Sequence, residues 1–316
     1  MTRNTRMTKK DKMNWLIDIA EGFRSLDARA SKFVRYLLDD PDPQVRAEAV
    51  SCLWNSSDPA WIDVLIEKAE TDPNLDVRTR GISALGHYIY ESEMGTKQYD
   101  WSEDRPRISE LDLQKIASFL FETSRNEKLT VDERRYAIES LAFLDSTEVD
   151  ALIEWAFGQA EAHYRVSAIF AMGRSGNSRW AEHVLNELHS PNREVQYEAV
   201  RAAGQLNLRE ATADLIRLAR GRGIEKSLRL VAIYALGEAG DDRAYAVLEE
   251  LSHARDRDVR DAAREAAEEW LIGSVDDRYE TTDEDDVWPD NAEAIDYDEN
   301  FGKDIWDNVL GTFSLN

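Results

Sequence analysis

The chain has one cysteine, Cys52, in 316 residues. That excludes an internal disulfide framework and any zinc site built on cysteines. No run of 18 apolar residues occurs, so no segment reads as a membrane-spanning helix. Basic residues are in short supply, 39 against 63 acids, for a net charge of −24. Phosphates would be repelled over most of such a surface, which argues against a general DNA or RNA binder. The N-terminus, MTRNTRMTKKDKMNW, is basic with no apolar core behind it, unlike a secretory signal. A soluble cytoplasmic protein is expected. The hydrophobic share, 42%, is ample for a packed core.

What the chain has is a repeat. Seven segments follow one template: VRAEAVSCLW (45–54), VRTRGISALG (77–86), ERRYAIESLA (133–142), YRVSAIFAMG (164–173), VQYEAVRAAG (195–204), LRLVAIYALG (228–237) and VRDAAREAAE (259–268). Each has a key polar residue: Arg46, Arg78, Arg134, Arg165, Gln196, Arg229 and Arg260. Three residues on comes a small one (Ala49, Gly81, Ala137, Ala168, Ala199, Ala232, Ala263). The spacings of 32, 56, 31, 31, 33 and 31 hold a period near 31, with one insertion of about 25 residues. Each copy reads as two helices. In the fifth, Trp180, Val184, Leu185 and Leu188 share one face at helical spacing. A turn, SPNRE, follows, and then a second face of Val195, Ala199, Val200 and Ala203. Gly204 reads as a helix terminator. A lone helical hairpin cannot bury both faces, so the copies stack.

On these residues the sequence resembles the HEAT-repeat family, in its short bacterial bilin-lyase-type form, most clearly in DDPDPQVRAEAVSCLW (39–54) and DPNLDVRTRGISALG (72–86). Ankyrin and tetratricopeptide signatures are absent. The resemblance implies an all-α fold, an α-α superhelix or HEAT/armadillo-type solenoid of about seven helical hairpins, with the second helix of each repeat on the concave side. It also implies an Asp–Arg ladder between repeats, for which Asp42 with Arg46, Asp76 with Arg78 and Asp258 with Arg260 are the local candidates; Gln196 interrupts it. Fold alone says little about function.

Three segments stand outside the repeat. Residues 1–12 hold five basic residues and one acid and read as a flexible arm. Residues 13–26 read as a helix capping the solenoid that fills 13–273. The insertion, about 88–111, carries Tyr88, Tyr90, Tyr99 and Trp101; it is either a loop packed over the repeat edge or a contact surface. Residues 274–316 hold 14 acids and two basic residues, half the net charge. That acidic tail ends in an amphipathic aromatic segment, Phe301, Ile305, Trp306, Val309, Leu310 and Phe313. It suits docking in a groove, in cis or in trans, or capping of the last repeat.

No catalytic constellation stands out. The five histidines, 87, 163, 183, 189 and 253, form no His-Glu pair. Repeated His-Glu dipeptides are how one HEAT-repeat enzyme family, the deoxyhypusine hydroxylases, holds its di-iron centre. Nucleophile-elbow, Walker and dinucleotide-binding motifs are missing. Cys52 stands where other repeats have small residues and reads as core. No metal or cofactor is expected.

A surface remains. Positions one and five after the key residue flank the buried stripe of the second helix. Repeats one and two place Ala47, Ser51, Thr79 and Ser83 there, and repeat three Arg135 and Glu139. Repeats four to six place Val166, Phe170, Tyr197, Arg201, Leu230 and Tyr234. Aromatics and arginine are the usual interface anchors, though packing against the next repeat would also use them. A basic patch, Arg217, Arg220, Arg222, Lys226 and Arg229, faces only Glu225 in the sequence. It reads as a solvated loop, an acidic-peptide site or a nucleic-acid site. The expectation is a non-enzymatic scaffold binding a protein or peptide on the concave surface, open to regulation by its own tail. A bilin-lyase-like chromophore or protein-modification accessory and a nucleic-acid binder are the alternatives.

Overall fold

The computed structural model describes residues 7–56, 58–95 and 108–280, and the acidic tail beyond them lies outside the described residues. Met1–Leu271 form one compact unit and Ile272–Asn316 a second, described only to the end of the last helix. Every regular element among the described residues is helical. Helix α1 (Lys9–Ala20) comes first. Seven hairpins follow: α2 (Ala28–Leu37) with α3 (Pro43–Ser51), α4 (Ile62–Thr71) with α5 (Leu75–Gly95), α6 (Glu110–Arg125) with α7 (Val131–Leu141), α8 (Thr147–Phe157) with α9 (Ala162–Arg174), α10 (Ala181–Glu187) with α11 (Arg193–Gln205), α12 (Thr212–Arg220) with α13 (Lys226–Ala239), and α14 (Asp242–Leu251) with α15 (Arg257–Glu280). The hairpin number matches the repeat count. Trp180, Val195, Ala199, Val200 and Ala203 are all buried, as the fifth repeat's two faces require.

Successive second helices pack along their length, whereas successive first helices barely meet. The more closely spaced layer is the inner, concave one. Its spacing is set by glycine. A Cβ on Gly86 would lie 2.7 Å from the Cα of Ser140, one on Gly173 2.9 Å from that of Ala202, and one on Gly237 2.9 Å from that of Ala266. These glycines sit eight residues after the key position, inside their helices. Gly204 therefore does not end α11, as its sequence position suggested; the helix runs on to Gln205 and the chain turns at Asn207, whose φ is 50°.

The key polar residue clamps its own hairpin. A helix end leaves carbonyls without partners. Here the key side chain donates to one at the end of the preceding helix: Arg46 to the Asp40 carbonyl at 2.9 Å, Arg78 to Asp72 at 2.8 Å, Arg134 to Ser124 at 3.2 Å, Gln196 to Leu188 at 2.8 Å and Arg229 to Ala219 at 2.7 Å. Glutamine reaches as well as arginine, so Gln196 keeps the clamp. The inter-repeat ladder uses other pairs than the local ones. Arg46 grips Asp72 of the next repeat with two bonds of 2.8 Å, and Arg165 meets Glu187 at 2.6 Å. Burial opposes ionisation of Asp72, but the bonds from Arg46 hold its carboxyl below the usual carboxylate range. Asp42 instead caps α3 through the Gln44 amide, Asp76 pairs with Arg80 at 3.2 Å and Asp258 with Lys226.

Two segment boundaries differ from the sequence reading. The basic arm is shorter, because a Thr8–Asp11 capping box starts α1 within it. Lys9 then reaches Asp42 at 2.7 Å and Lys12 reaches Asp40, fastening α1 onto the first repeat. The insertion begins later, because α5 continues to Gly95 and buries Tyr88 completely. Tyr99 and Trp101 lie outside the described residues.

Gly237→Ala is expected to destabilise the fold. Alanine would gain about 1 kcal/mol of helix propensity, but its methyl would meet the Ala266 carbonyl at 2.6 Å and Cα at 2.9 Å, backbone atoms that cannot swing away. Overpacking of this kind costs about 1–3 kcal/mol, so urea unfolding of the variant should show a lower midpoint than the parent.

Candidate binding surface on the inner face

The inner layer presents residues one, five and nine after each key position, because these stand on neighbouring turns of the second helix. Val166, Phe170, Tyr197, Leu230 and Tyr234 are all half-buried there. Arg201 is only 6% exposed. It pairs with Glu198 one turn earlier and lies over the Phe170 ring, 4.5 Å from its centroid. Arg174 approaches the same ring at 5.3 Å. Phe170 is thus shared by two guanidinium groups from adjacent repeats, each contact worth about 0.5–2 kcal/mol. Tyr234 donates its hydroxyl to Glu265 of the following repeat at 2.8 Å. The candidate residues are therefore joined to one another across repeats.

The sequence reading missed how far this surface extends. Trp54 stacks on His87 with centroids 4.8 Å apart, His87 on Tyr90 at 5.7 Å, and Tyr90 meets Phe143 at 5.0 Å. Arg174 covers Phe143 at 5.8 Å, which links this row to Phe170. One line of half-buried rings and guanidinium groups crosses repeats one to five. Its signal was position nine, filled by His87, Phe143, Arg174, Gln205, Glu238 and Glu269 in successive repeats. The line passes from aromatic to basic to acidic along the chain.

Charges on this face are closely coupled. Burial pushes the Glu139 carboxyl up, against the Arg135 guanidinium 3.3 Å away and a bond from the Ser167 hydroxyl. Burial likewise raises Glu198, opposed by Arg201 and Arg174. Arg174 itself is pushed down to about 10 by burial and by neighbouring Arg201. Glu238 is an exposed residue, yet the atoms packed around its carboxyl and the nearby Glu269 charge push it up to about 7.

The basic patch is largely neutralised, by Asp214 on its own helix and by acids of the seventh repeat. Arg217 pairs with Asp214 at 2.9 Å, Arg220 with Glu250, and Lys226 with Asp256 at 3.3 Å and with Asp258. Arg229 is spent on the helix-end clamp, and Arg222 is exposed. The opposing acids of the seventh repeat are remote in sequence, which is why Glu225 alone seemed to face the patch. Among the described residues no group of three or more His, Cys, Asp or Glu side chains is placed to hold a metal ion. Burial pushes the Cys52 thiol up, and its Sγ donates to the Leu16 carbonyl, a core contact.

The profile described as HEAT repeats matches residues 30–97 and 181–268. The chain is a HEAT-repeat protein. Among solved structures, these HEAT repeats are similar to the complex of CpcE and CpcF of phycocyanin lyase from a Nostoc species, with 18% identity over 76% of this chain and 94% of that one, at a TM-score of 0.47. Human deoxyhypusine hydroxylase aligns with 16% identity over 84% and 92% of the two chains, at 0.38. Importin beta aligns with 13% identity over 83% of this chain and 38% of its own length, at 0.46. No curated protein matches the sequence.

A carboxyl whose folded pKa lies above its unfolded value binds more protons in the folded state, so stability falls as pH rises between the two values. Glu238, raised to about 7, should act in this direction from the model-peptide range near 4.5 upward. Glu238→Gln is expected to raise the melting temperature at pH 8 and leave it nearly unchanged at pH 5. Equal shifts at both values would mean that Glu238 titrates normally.

Proposed function

We propose that this HEAT-repeat protein is a non-enzymatic scaffold that binds a protein or peptide along the inner face of its repeats, centred on Phe170, Tyr197, Arg201 and Tyr234. The observation carrying this reading is the change of residue type along that face. Repeats one and two fill positions one and five with Ala47, Ser51, Thr79 and Ser83, so the repeat itself needs nothing larger there. Repeats four to six place half-buried aromatics at the same positions. Rigid rings that keep exposed edges on a concave surface gain by being covered, and such anchors contribute most of the energy in many interfaces. The row from Trp54 to Phe143 lengthens the surface toward the N-terminal repeats, as an extended ligand would require. Charge steers a partner's register: Arg174 in mid-face favours an acidic group and the Glu238–Glu269 end a basic one.

Tyr197→Ala combined with Tyr234→Ala tests this. Bound proteins recovered from native lysate by the full chain are identified, and their affinities for parent and variant are measured. The double variant should lose about 1–4 kcal/mol of binding with its melting temperature little changed. A drop in melting temperature with binding intact would assign both rings to packing between repeats.

A further inference from the structure

We infer a second, separate site for an acidic peptide, in a cleft on the edge formed by the inter-helix turns of repeats three and four. The cleft has a volume of about 330 Å³ and lies between the end of α6, the start of α7 and α8. It is open to solvent. Arg134, Trp155, Leu152 and Ser124 line it, with Arg125 and Glu148 at one side and Glu127 on the rim. Arg125 and Glu148 satisfy one another at 2.6 Å.

The argument rests on what Arg134 lacks. Its counterparts Arg46 and Arg165 clasp a carboxylate from the next repeat, Asp72 and Glu187. Lys12 holds Asp40 in the same manner at the N-terminal end. Asp40 and Asp72 each stand six residues before the next key position, and in repeat four that place is taken by Gln159, whose amide turns back onto the Trp155 carbonyl at 2.9 Å. Arg134 uses only Nε, for the Ser124 carbonyl at 3.2 Å. Its guanidinium lies 5.5 Å from the Trp155 ring centroid and 5.4 Å from that of Tyr164, and no described carboxylate reaches it. The two terminal nitrogens thus face an open cleft, and Trp155, at 40% exposure, is among the most exposed aromatic side chains of the second to seventh repeats. Arginine offers a planar fork suited to carboxylate, already oriented here by two rings. A partner's glutamate or aspartate would complete the missing rung, with an adjacent apolar side chain on Trp155 and Leu152. At Arg46 and Arg165 that carboxylate comes from a helix end, so the geometry suits a protein carboxylate. This site does not depend on the inner-face reading, and either can fail alone.

The test uses the ¹⁵N-labelled full chain and two probes differing in one group, acetyl-Leu-Glu-Leu-amide and acetyl-Leu-Gln-Leu-amide. The indole signal of Trp155, assigned through Trp155→Phe, reports occupancy. The glutamate peptide should shift it saturably with a Kd on the order of millimolar, and the glutamine peptide should bind about tenfold more weakly or worse. Arg134→Gln should abolish the difference while keeping the helix-end clamp, as Gln196 does naturally. Gln159→Asp, which supplies an internal carboxylate and leaves Arg134 in place, should compete the peptide away even if Arg134→Gln folds poorly. Equal affinity for the two peptides, unchanged binding in either variant, or no shift at about 10 mM peptide would overturn the assignment.

Discussion

Glycine-on-alanine contact between successive second helices is the constraint from which most of this structure follows. At Gly173, Gly204 and Gly237 the neighbouring helix comes so near that an added methyl would lie within 3.0 Å of an alanine Cα. Helices this close share backbone surface rather than long side chains, and the dispersion gained is correspondingly dense. The opposite layer of first helices has no such contact and spreads. Curvature follows from the difference, and so does the concave face. The same constraint pushes larger side chains to positions five and nine, where they project from the inner layer instead of separating it.

A second constraint operates at the turns. The key residue must satisfy a carbonyl at the end of the preceding helix, and both arginine and glutamine do so. An arginine retains further donors after that bond is made. Those donors join the next repeat where an acid is available, as at Arg46 with Asp72 and Arg78 with Glu133, and stack on aromatic rings where it is not, as at Arg134. The clamp is therefore part of the repeat, whereas the rung varies with the neighbour. A position that looks uniform in the sequence performs two tasks, and Arg165, whose hydrogen bonds go to Glu187, performs only the second.

The inner face combines aromatic and ionic groups in an uncommon proportion. Phe170 lies between two guanidinium groups, and three glutamates on the same surface are held above the usual carboxylate range by burial. Bringing an isolated charge into such a setting would be costly, but here the close opposite charges, Arg135 with Glu139 and Arg201 with Glu198, stand one turn apart on the same helix and offset much of the penalty. The consequence is a surface whose charge state is sensitive to what covers it.

The period near 31 residues, the small residue three after each key position and the two apolar faces per copy determined the all-α solenoid and the number of its hairpins, because helical spacing and the need to stack act locally and repeat. They also marked the second helices as the place to look for a surface. What pairs with what was decided only by the tertiary structure. Asp42, Asp76 and Asp258 looked like ladder partners by proximity, yet the rungs join Arg46 to Asp72 and Arg165 to Glu187, since stacking brings the turn of one repeat over the helix of the next. The acids that neutralise Arg220 and Lys226 likewise come from the following repeat. Gly204 read as a terminator from its place near the end of a segment, but its function is close approach, which depends on a helix about thirty residues away. The row from Trp54 to Phe143 stayed hidden because the insertion breaks the register by which those residues would have been compared. Local spacing carries information about helices and their faces; contacts between repeats depend on the angle and distance at which those helices settle.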